Sequence, residues 1–212
     1  MPPSNVIIDL SHHNESVDLA RAHADGIQGV IHKATQGSAF VDPTFADRRK
    51  GATGVGILWG AYHFGTAADP VEQARFFLSV ATPGAEDLIV LDFEVNESKP
   101  SNTMSLEQAH AFIATVQDAI GRTPGLYGGA YLKTQLGNSI DPILQPCWLW
   151  WAQYSPVPRV PPNWPAWAVW QYTDGHHGQA PFTVDGIGAC DRDQYPDTAD
   201  VLRAKWLSGS LA

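Results

Sequence analysis

The chain has 212 residues, 44% hydrophobic and 17% charged, a composition that supports a folded core and lies far from that of a disordered segment. A formal net charge of −9, with no basic run longer than "RRK" at 48–50, excludes a phosphate-neutralising nucleic-acid face. No stretch approaches the ~18 consecutive apolar residues of a membrane span, and "MPPSNVIIDL" lacks the basic and apolar regions of a secretory signal.

In chain order, "NVIID" (5–9) reads as a first strand, followed by a short helix around Val17–Ala24 that Gly26 stops. "GVIHKAT" (29–35) is the second strand, and "DPTFADRRKGAT" places Pro43 early in a helix, where its missing N–H costs little. "ILWGAYHF" (57–64) is the third strand. The helix after it has Asp69 as N-cap, Pro70 at its first position, and Val71, Ala74 and Leu78 on one face. "LIVLDFE" (88–94) is the fourth strand, apolar enough to be covered on both sides. Ser105 and Gln108 then form a capping box, Leu106, Ala109, Ile113, Val116 and Ile120 keep one stripe, and Gly121 ends the helix.

"PGLYGG" (124–129), "CWLWWAQY" (147–154), "AWAVWQYT" (166–173) and "ACDRDQY" (189–195) supply four more strands, and a helix over about Thr198–Leu207 closes the chain. The pattern predicts one α/β domain, residues 1–212 with a core over about 5–207: an irregular, TIM-like barrel of eight strands with fewer than eight helices. The early strands are expected to be parallel, because hairpin signals are few before residue 130. Cys147 and Cys190 sit in apolar runs and read as buried free thiols, not as a disulfide framework or a zinc site.

In such barrels chemistry collects where the strands end. Those ends read Asp9, Lys33 or Thr35, Tyr62 to Phe64, Asp92 with Glu94, Tyr127, Gln153 with Tyr154, Gln171 and Asp191. Residues i and i+2 of a strand share a face, which puts the Cα atoms of Asp92 and Glu94 about 6.5 Å apart. Two partly desolvated carboxyls that close cannot both ionise easily, so one stays protonated near neutral pH, as a general acid must. The alternative is structural, with both acids paired to Lys33 or to backbone amides.

Six of the eight tryptophans fall between 148 and 170. Any one of them is core by default, while one or two lining a groove would stack on sugar rings. The histidines of "SHHN" (11–14), His63 and "GHH" (175–177) lack metal-ligand spacing, and loop solvation accounts for most of them.

With these residues in hand, the chain resembles the glycoside hydrolase family 25 muramidases, lysozymes of phage and bacterial origin. "VIIDLSHHN" is similar to the family's opening Asp-x-Ser strand, and "HKATQGSAFVDPTFADRRKGATGVGILWGAYHF" to its lysine–glycine–tyrosine–histidine block. "VLDFE" matches its Asp-x-Glu strand, and "WQYTDGHHG" with "VDGIGACDRDQY" its closing segments, so the likeness spans about residues 5–195. It departs at Cys190, where the family commonly has Val, and at Asp193, where it usually has Asn.

The resemblance implies hydrolysis of the β-1,4 bond between N-acetylmuramic acid and N-acetylglucosamine in peptidoglycan, without metal or cofactor. It puts Glu94 in the general-acid position with Asp92 as its neighbouring carboxylate. Asp9 and Asp191 take the other acidic positions. Asp191 and Asp193 compete for one role, and Asp191 is expected to point into the site. Tyr62 lies in the substrate-positioning segment, and Lys33, Tyr127, Trp151 and Gln171 are further candidates for substrate contact.

Acetamide assistance with retention is the family's implied route, with a direct nucleophile left open. The implied partner is the peptidoglycan glycan strand, met by a monomer with no nucleic-acid or membrane partner. The protein would be made in the cytoplasm and released by lysis or export, with no separate wall-binding module. Alternatives are a chitinase-like enzyme or glucosaminidase, although Leu88 and Val90 stand where a chitinase-like strand carries further acids. A non-catalytic glycan-binding module would keep the tryptophans without needing four strand-end acids.

Overall fold

A computed structural model describes residues 3–212; Met1 and Pro2, where the expected domain begins, lie outside the described residues. The apolar runs form β1 (Ser4–Leu10), β2 (Gly29–Gln36), a short β3 (Phe40–Val41), β4 (Leu58–Phe64) and β5 (Leu88–Asp92). Then come β6 (Gly125–Gly128), β7 (Leu149–Ala152), β8 (Val169–Thr173), the two-residue β9 (Thr183–Val184) and β10 (Gly188–Ala189), and β11 (Arg192–Tyr195). Pairing runs β1-β11-β8-β7-β6-β5-β4-β2, and a β1–β2 pairing closes the ring into an eight-stranded barrel. The six α-helices number fewer than the strands, as expected.

From β1 through β2, β4, β5, β6 and β7 to β8 the paired neighbours are parallel. The last strand departs from that pattern, because β11 lies antiparallel to both β1 and β8. The run read as one strand over 189–195 is broken: Ala189 belongs to the β9–β10 hairpin, and Asp191 precedes β11. Asp191, the first acid of the closing segment, therefore enters the barrel at the same end at which the parallel strands terminate.

The helices follow their capping chemistry. α1 (Leu19–Ala24) starts on Asp18, and α3 (Pro70–Ala81) on Asp69, whose side chain accepts from the Glu72 N–H. α4 (Leu106–Ile120) has the full Ser105–Gln108 capping box and ends on Gly121 at φ 70°, a conformation that suits glycine. α5 (Ala130–Leu136) is a short helix that the sequence reading omits, and α6 (Ala199–Trp206) starts on Thr198. Pro43 is not inside a helix. α2 (Phe45–Gly54) begins after Thr44, and Asp42 instead accepts from the Thr44 N–H at 2.9 Å and its hydroxyl at 2.7 Å.

Two apolar layers result from the strand alternation. Outward residues such as Val30, Ala61, Leu91 and Phe93 pack under α3 and α4, with Ala74, Phe77, Phe112 and Val116. Inward residues Ile7, Ile31, Leu58, Leu88, Val90, Trp150 and Val169 fill the barrel. Trp206 of α6 plugs the end opposite the strand termini, fully buried, with its indole N–H donating to the Trp59 carbonyl at 3.0 Å. Gly29 makes room for it: a Cβ there would stand 2.6 Å from the Trp206 ring. With that end plugged, the acids lie at the opposite, open end of the barrel.

His63 is not a solvated loop residue but is fully buried on the outward face, stacked on Phe112 and hydrogen-bonded to Thr35 at 2.7 Å. Burial lowers it to about 4, so it is a neutral packing group. Cys147 and Cys190 are both buried and free.

Candidate active site

A cleft of about 620 Å³ lies at the open end of the barrel. Asp9, Lys33, Tyr62, Asp92, Glu94, Tyr127, Gln171 and Asp191 all line it, so eight of the nine residues singled out from the sequence meet in one place. Strand register explains the convergence. Phe64 pairs with Asp92, Asp92 with Tyr127, and Tyr127 with Trp150, which aligns one inward rung across four strands. Glu94 lies just beyond β5, yet the alternation continues: Phe93 is buried among the outward residues, while Asp92 and Glu94 both face the cleft.

Trp151 is the exception. It is buried on the outward face and donates its indole N–H to Gln153 Oε1 at 3.0 Å. Its neighbour Trp150 faces inward instead, edge-on to Tyr127 at 4.7 Å and to Tyr62 at 6.2 Å. In "WLWW" both faces are apolar, so composition cannot tell which tryptophan points in; only the pairing of Tyr127 with Trp150 does. The sequence reading also missed Asp193 as an interior group. It is fully buried beneath Asp191 and accepts the Trp150 indole N–H at 2.6 Å.

Six carboxyl groups, of Asp9, Asp92, Glu94, Glu97, Asp174 and Asp191, thus line the cleft above the buried Asp193, with Lys33 the only lysine or arginine lining it among the described residues. Burial, followed by Glu94, pushes Asp92 well above the usual carboxylate range, with Lys33 opposing. Burial also raises Glu94 to about 7, reinforced by Glu97. It takes Asp191 to about 6, with Asp174 adding to the rise. Asp9 is raised by burial and then by Asp191 and Asp193. Lys33 is itself lowered by burial, which the charges of Asp92, Asp42 and Glu94 partly offset. It sits over the Phe64 ring at 4.9 Å and donates to Gln36 at 2.7 Å.

Hydrogen bonds orient the acids unequally. Asp9 Oδ2 accepts from Gln171 at 2.8 Å, and Gln171 in turn accepts the hydroxyls of Tyr127 and Tyr154 at 2.9 Å each. Asp92 Oδ1, by contrast, is buried and accepts nothing from the described residues. That oxygen is an open acceptor beside a carboxyl that still carries a proton near neutral pH. Chemically, the arrangement can give a proton to a leaving oxygen and hold an N–H or a developing positive charge next to it. Among the described residues no group of three or more His, Cys, Asp or Glu side chains is arranged to hold a metal ion.

Comparison with known proteins gives this geometry its context. The chain is 29% identical over 184 residues to an N,O-diacetylmuramidase of Chalaropsis sp, covering 79% of this chain and 87% of that protein. It superimposes on a bacterial lysozyme from Streptomyces coelicolor with a TM-score of 0.82 at 28% identity, covering 99% of both chains. A family GH25 lysozyme from Aspergillus fumigatus gives 0.76 at 31% identity, covering 95% of this chain and 98% of that one. Residues 8–180 match the profile of Glycosyl hydrolases family 25, a span that runs from the strand bearing Asp9 past the Asp92–Glu94 pair to Gln171. Fold, cleft and sequence agree: this chain belongs to glycosyl hydrolases family 25 and is a glycoside hydrolase of the lysozyme class.

Proposed function

We propose that the chain cleaves the β-1,4 bond between N-acetylmuramic acid and N-acetylglucosamine, with the substrate's own acetamide as nucleophile and with retention of configuration. Glu94 gives its proton to the glycosidic oxygen as that oxygen leaves the anomeric carbon. The acetamide carbonyl oxygen closes on the same carbon, while Asp92 accepts the acetamide N–H and offsets the positive charge that develops. Water then opens the cyclic intermediate, its proton passing to the Glu94 carboxylate. Asp9 and Asp191 keep the surroundings of the carbocation-like centre negative, and Tyr62 and Tyr127 contact the sugar.

The observation that carries this reading is the pair at the end of β5. One carboxyl has a buried oxygen with no donor, and the other is held near 7 by burial. An oxygen acceptor without a partner costs free energy unless a ligand supplies one, and an acetamide N–H fits that need. The name of the Chalaropsis relative, N,O-diacetylmuramidase, supports an acetylated muramic acid as the reacting sugar.

The test is the identity of the new reducing end. Digested peptidoglycan, reduced with borohydride and then hydrolysed, should yield muramicitol. Glucosaminitol would make the enzyme a glucosaminidase, and free stem peptides with intact glycan strands would overturn the glycosidase reading. De-N-acetylated peptidoglycan should be a poor substrate; cleavage at the normal rate would remove the acetamide from the mechanism.

A further inference from the structure

Lys33 stands in a cleft lined by carboxyl groups and forms an ion pair with none of them. It is buried, and no ion pair among the described residues includes it. A register irregularity in β2 between Lys33 and Thr35 explains where the side chain goes. Ala34 joins the outward layer and Thr35 bonds the outward-facing His63, so Lys33 and Gln36 both come to face the cleft. Nζ donates to Gln36 Oε1 at 2.7 Å and lies 4.9 Å from the centre of the Phe64 ring and 5.8 Å from that of Phe40. An ammonium has three N–H donors, and Gln36 is the one acceptor for them among the described residues.

The place of that ammonium is set by the strand register. Gln36 pairs with Phe64 and Phe64 with Asp92, so Gln36 stands two strands, about 10 Å, from Asp92 along one rung. Gln36 also lines a second groove of about 380 Å³, with Ser38, Phe40, Thr66, Ala68 and Asn102. The cleft and this groove therefore meet at Gln36, with Lys33 at the junction. Phe40 leaves an aromatic face exposed beside it.

Muramic acid differs from glucosamine in the lactyl ether on C3, which ends in a carboxylate or, in peptidoglycan, in the amide that begins the stem peptide. The substituents on C2 and C3 leave adjacent carbons of the ring. With the acetamide N–H on Asp92, the lactyl arm starts one carbon away, and its carbonyl oxygen needs a donor. Towards β6 the Tyr127 hydroxyl is already given to Gln171, whereas towards β2 the ammonium of Lys33 has donors to spare.

We propose that this junction is the subsite for the lactyl arm of muramic acid, with Lys33 Nζ donating to the lactyl carbonyl oxygen and the second groove taking the first residues of the stem peptide. The assignment rests on the muramidase reading of the cleft and adds to it the means by which muramic acid is told from N-acetylglucosamine.

Binding without turnover tests it, with Glu94→Gln as the background and calorimetry as the measurement. A peptide-bearing tetrasaccharide of alternating N-acetylglucosamine and N-acetylmuramic acid should bind about tenfold or more tighter than chitotetraose, the scale of a charge-assisted hydrogen bond. Adding Lys33→Met should bring the two within about twofold by weakening only the muramic acid ligand. Ser38→Trp, a change at an exposed position, should fill the second groove and weaken the peptide-bearing tetrasaccharide while leaving its peptide-free form unchanged.

Equal weakening of both ligands by Lys33→Met would leave Lys33 a charge balance for the acids and overturn the proposal. So would a Ser38→Trp protein that binds the peptide-bearing ligand normally or loses the peptide-free one, and this arm stands even if Lys33→Met fails to fold. A digest ending in glucosaminitol would overturn the muramidase reading and this assignment with it. Muramicitol together with ligand affinities indifferent to Lys33→Met and Ser38→Trp would overturn the assignment alone.

Discussion

Gln171 donates its side-chain N–H to Asp9 Oδ2 at 2.8 Å, joining β8 to β1 across the intervening antiparallel strand β11. Its other end accepts two tyrosine hydroxyls, Tyr127 from β6 and Tyr154 from the cleft rim, at 2.9 Å each. An amide is the one side chain of this size that can accept two O–H groups on one atom and donate to a carboxylate from the other. Glutamate would put a further negative charge against Asp9, and leucine would leave three polar partners without it.

Gln171→Leu is therefore expected to lower kcat by roughly 10–10²-fold, the scale of a catalytic carboxyl released from its orientation. It should also destabilise the fold by about 1–3 kcal/mol through the partners left unsatisfied. Steady-state rates on solubilised glycan strands and a urea midpoint measure the two effects. A kcat within about twofold of wild type would mean that Asp9 needs no help from Gln171.

The adjacent tryptophans separate site from core. Trp150→Phe keeps an aromatic ring on the barrel floor but strips Asp193 of its indole donor, and activity should fall about tenfold, the kinetic equivalent of a lost buried hydrogen bond. Trp151→Phe alters only the outward layer. It should cost about 1 kcal/mol of stability with activity at the wild-type level. Equal loss of activity in both variants would contradict the inward and outward assignment of these side chains.

That same pair shows where the sequence was informative. Ser105 with Gln108, Asp69 with Pro70, and Gly121 each carry local chemistry that sets a helix end, and α3 and α4 start and stop on them. The Asp92–Glu94 spacing was legible for a similar reason: a period of two leads both acids out of a strand on the same side. Trp150 and Trp151 had no such anchor, because β7 is only four residues long and apolar on both faces. The reversed direction of β11 and the short hairpin before it depend on partners far away in sequence, which no local pattern encodes. Asp193 was ambiguous for another reason: it shares its face with Asp191, and only depth in the barrel tells the cleft acid from the buried one.

The plugged end of the barrel gives a prediction independent of catalysis. Trp206 is fully buried against the Gly29 backbone, where even a Cβ would collide with its ring. Trp206→Ala should destabilise the protein by about 3–5 kcal/mol, the usual cost of emptying an aromatic site. Well below the melting transition the open end should keep most of its activity, because α6 lies at the opposite end of the strands from Glu94. Thermal melts and low-temperature rates distinguish this from a general collapse, in which both would be lost together.

Glu94 links activity and stability through one proton. In the fold its carboxyl titrates at about 7, against an ordinary value of 4.5. Below the ordinary value both folded and unfolded chains hold the proton, and Glu94 costs nothing. As the pH rises towards 7 the unfolded chain ionises while the fold retains the proton, so stability declines across that interval and the full cost persists above it. Glu94→Gln cannot ionise. It should match wild type in stability at acid pH and exceed it by roughly 2 kcal/mol above neutrality, a figure reduced for the solvent at the cleft mouth. The buried histidines are the same in both proteins and cancel from the difference. The identical substitution should abolish proton donation and lower kcat by about 10²-fold or more, and it should remove the alkaline fall that wild-type kcat/KM shows as the pH passes 7. Denaturant melts and rates measured over one pH series test both halves. A variant that gains stability at neutral pH yet keeps near wild-type rates would leave Glu94 a buried acid without a catalytic role.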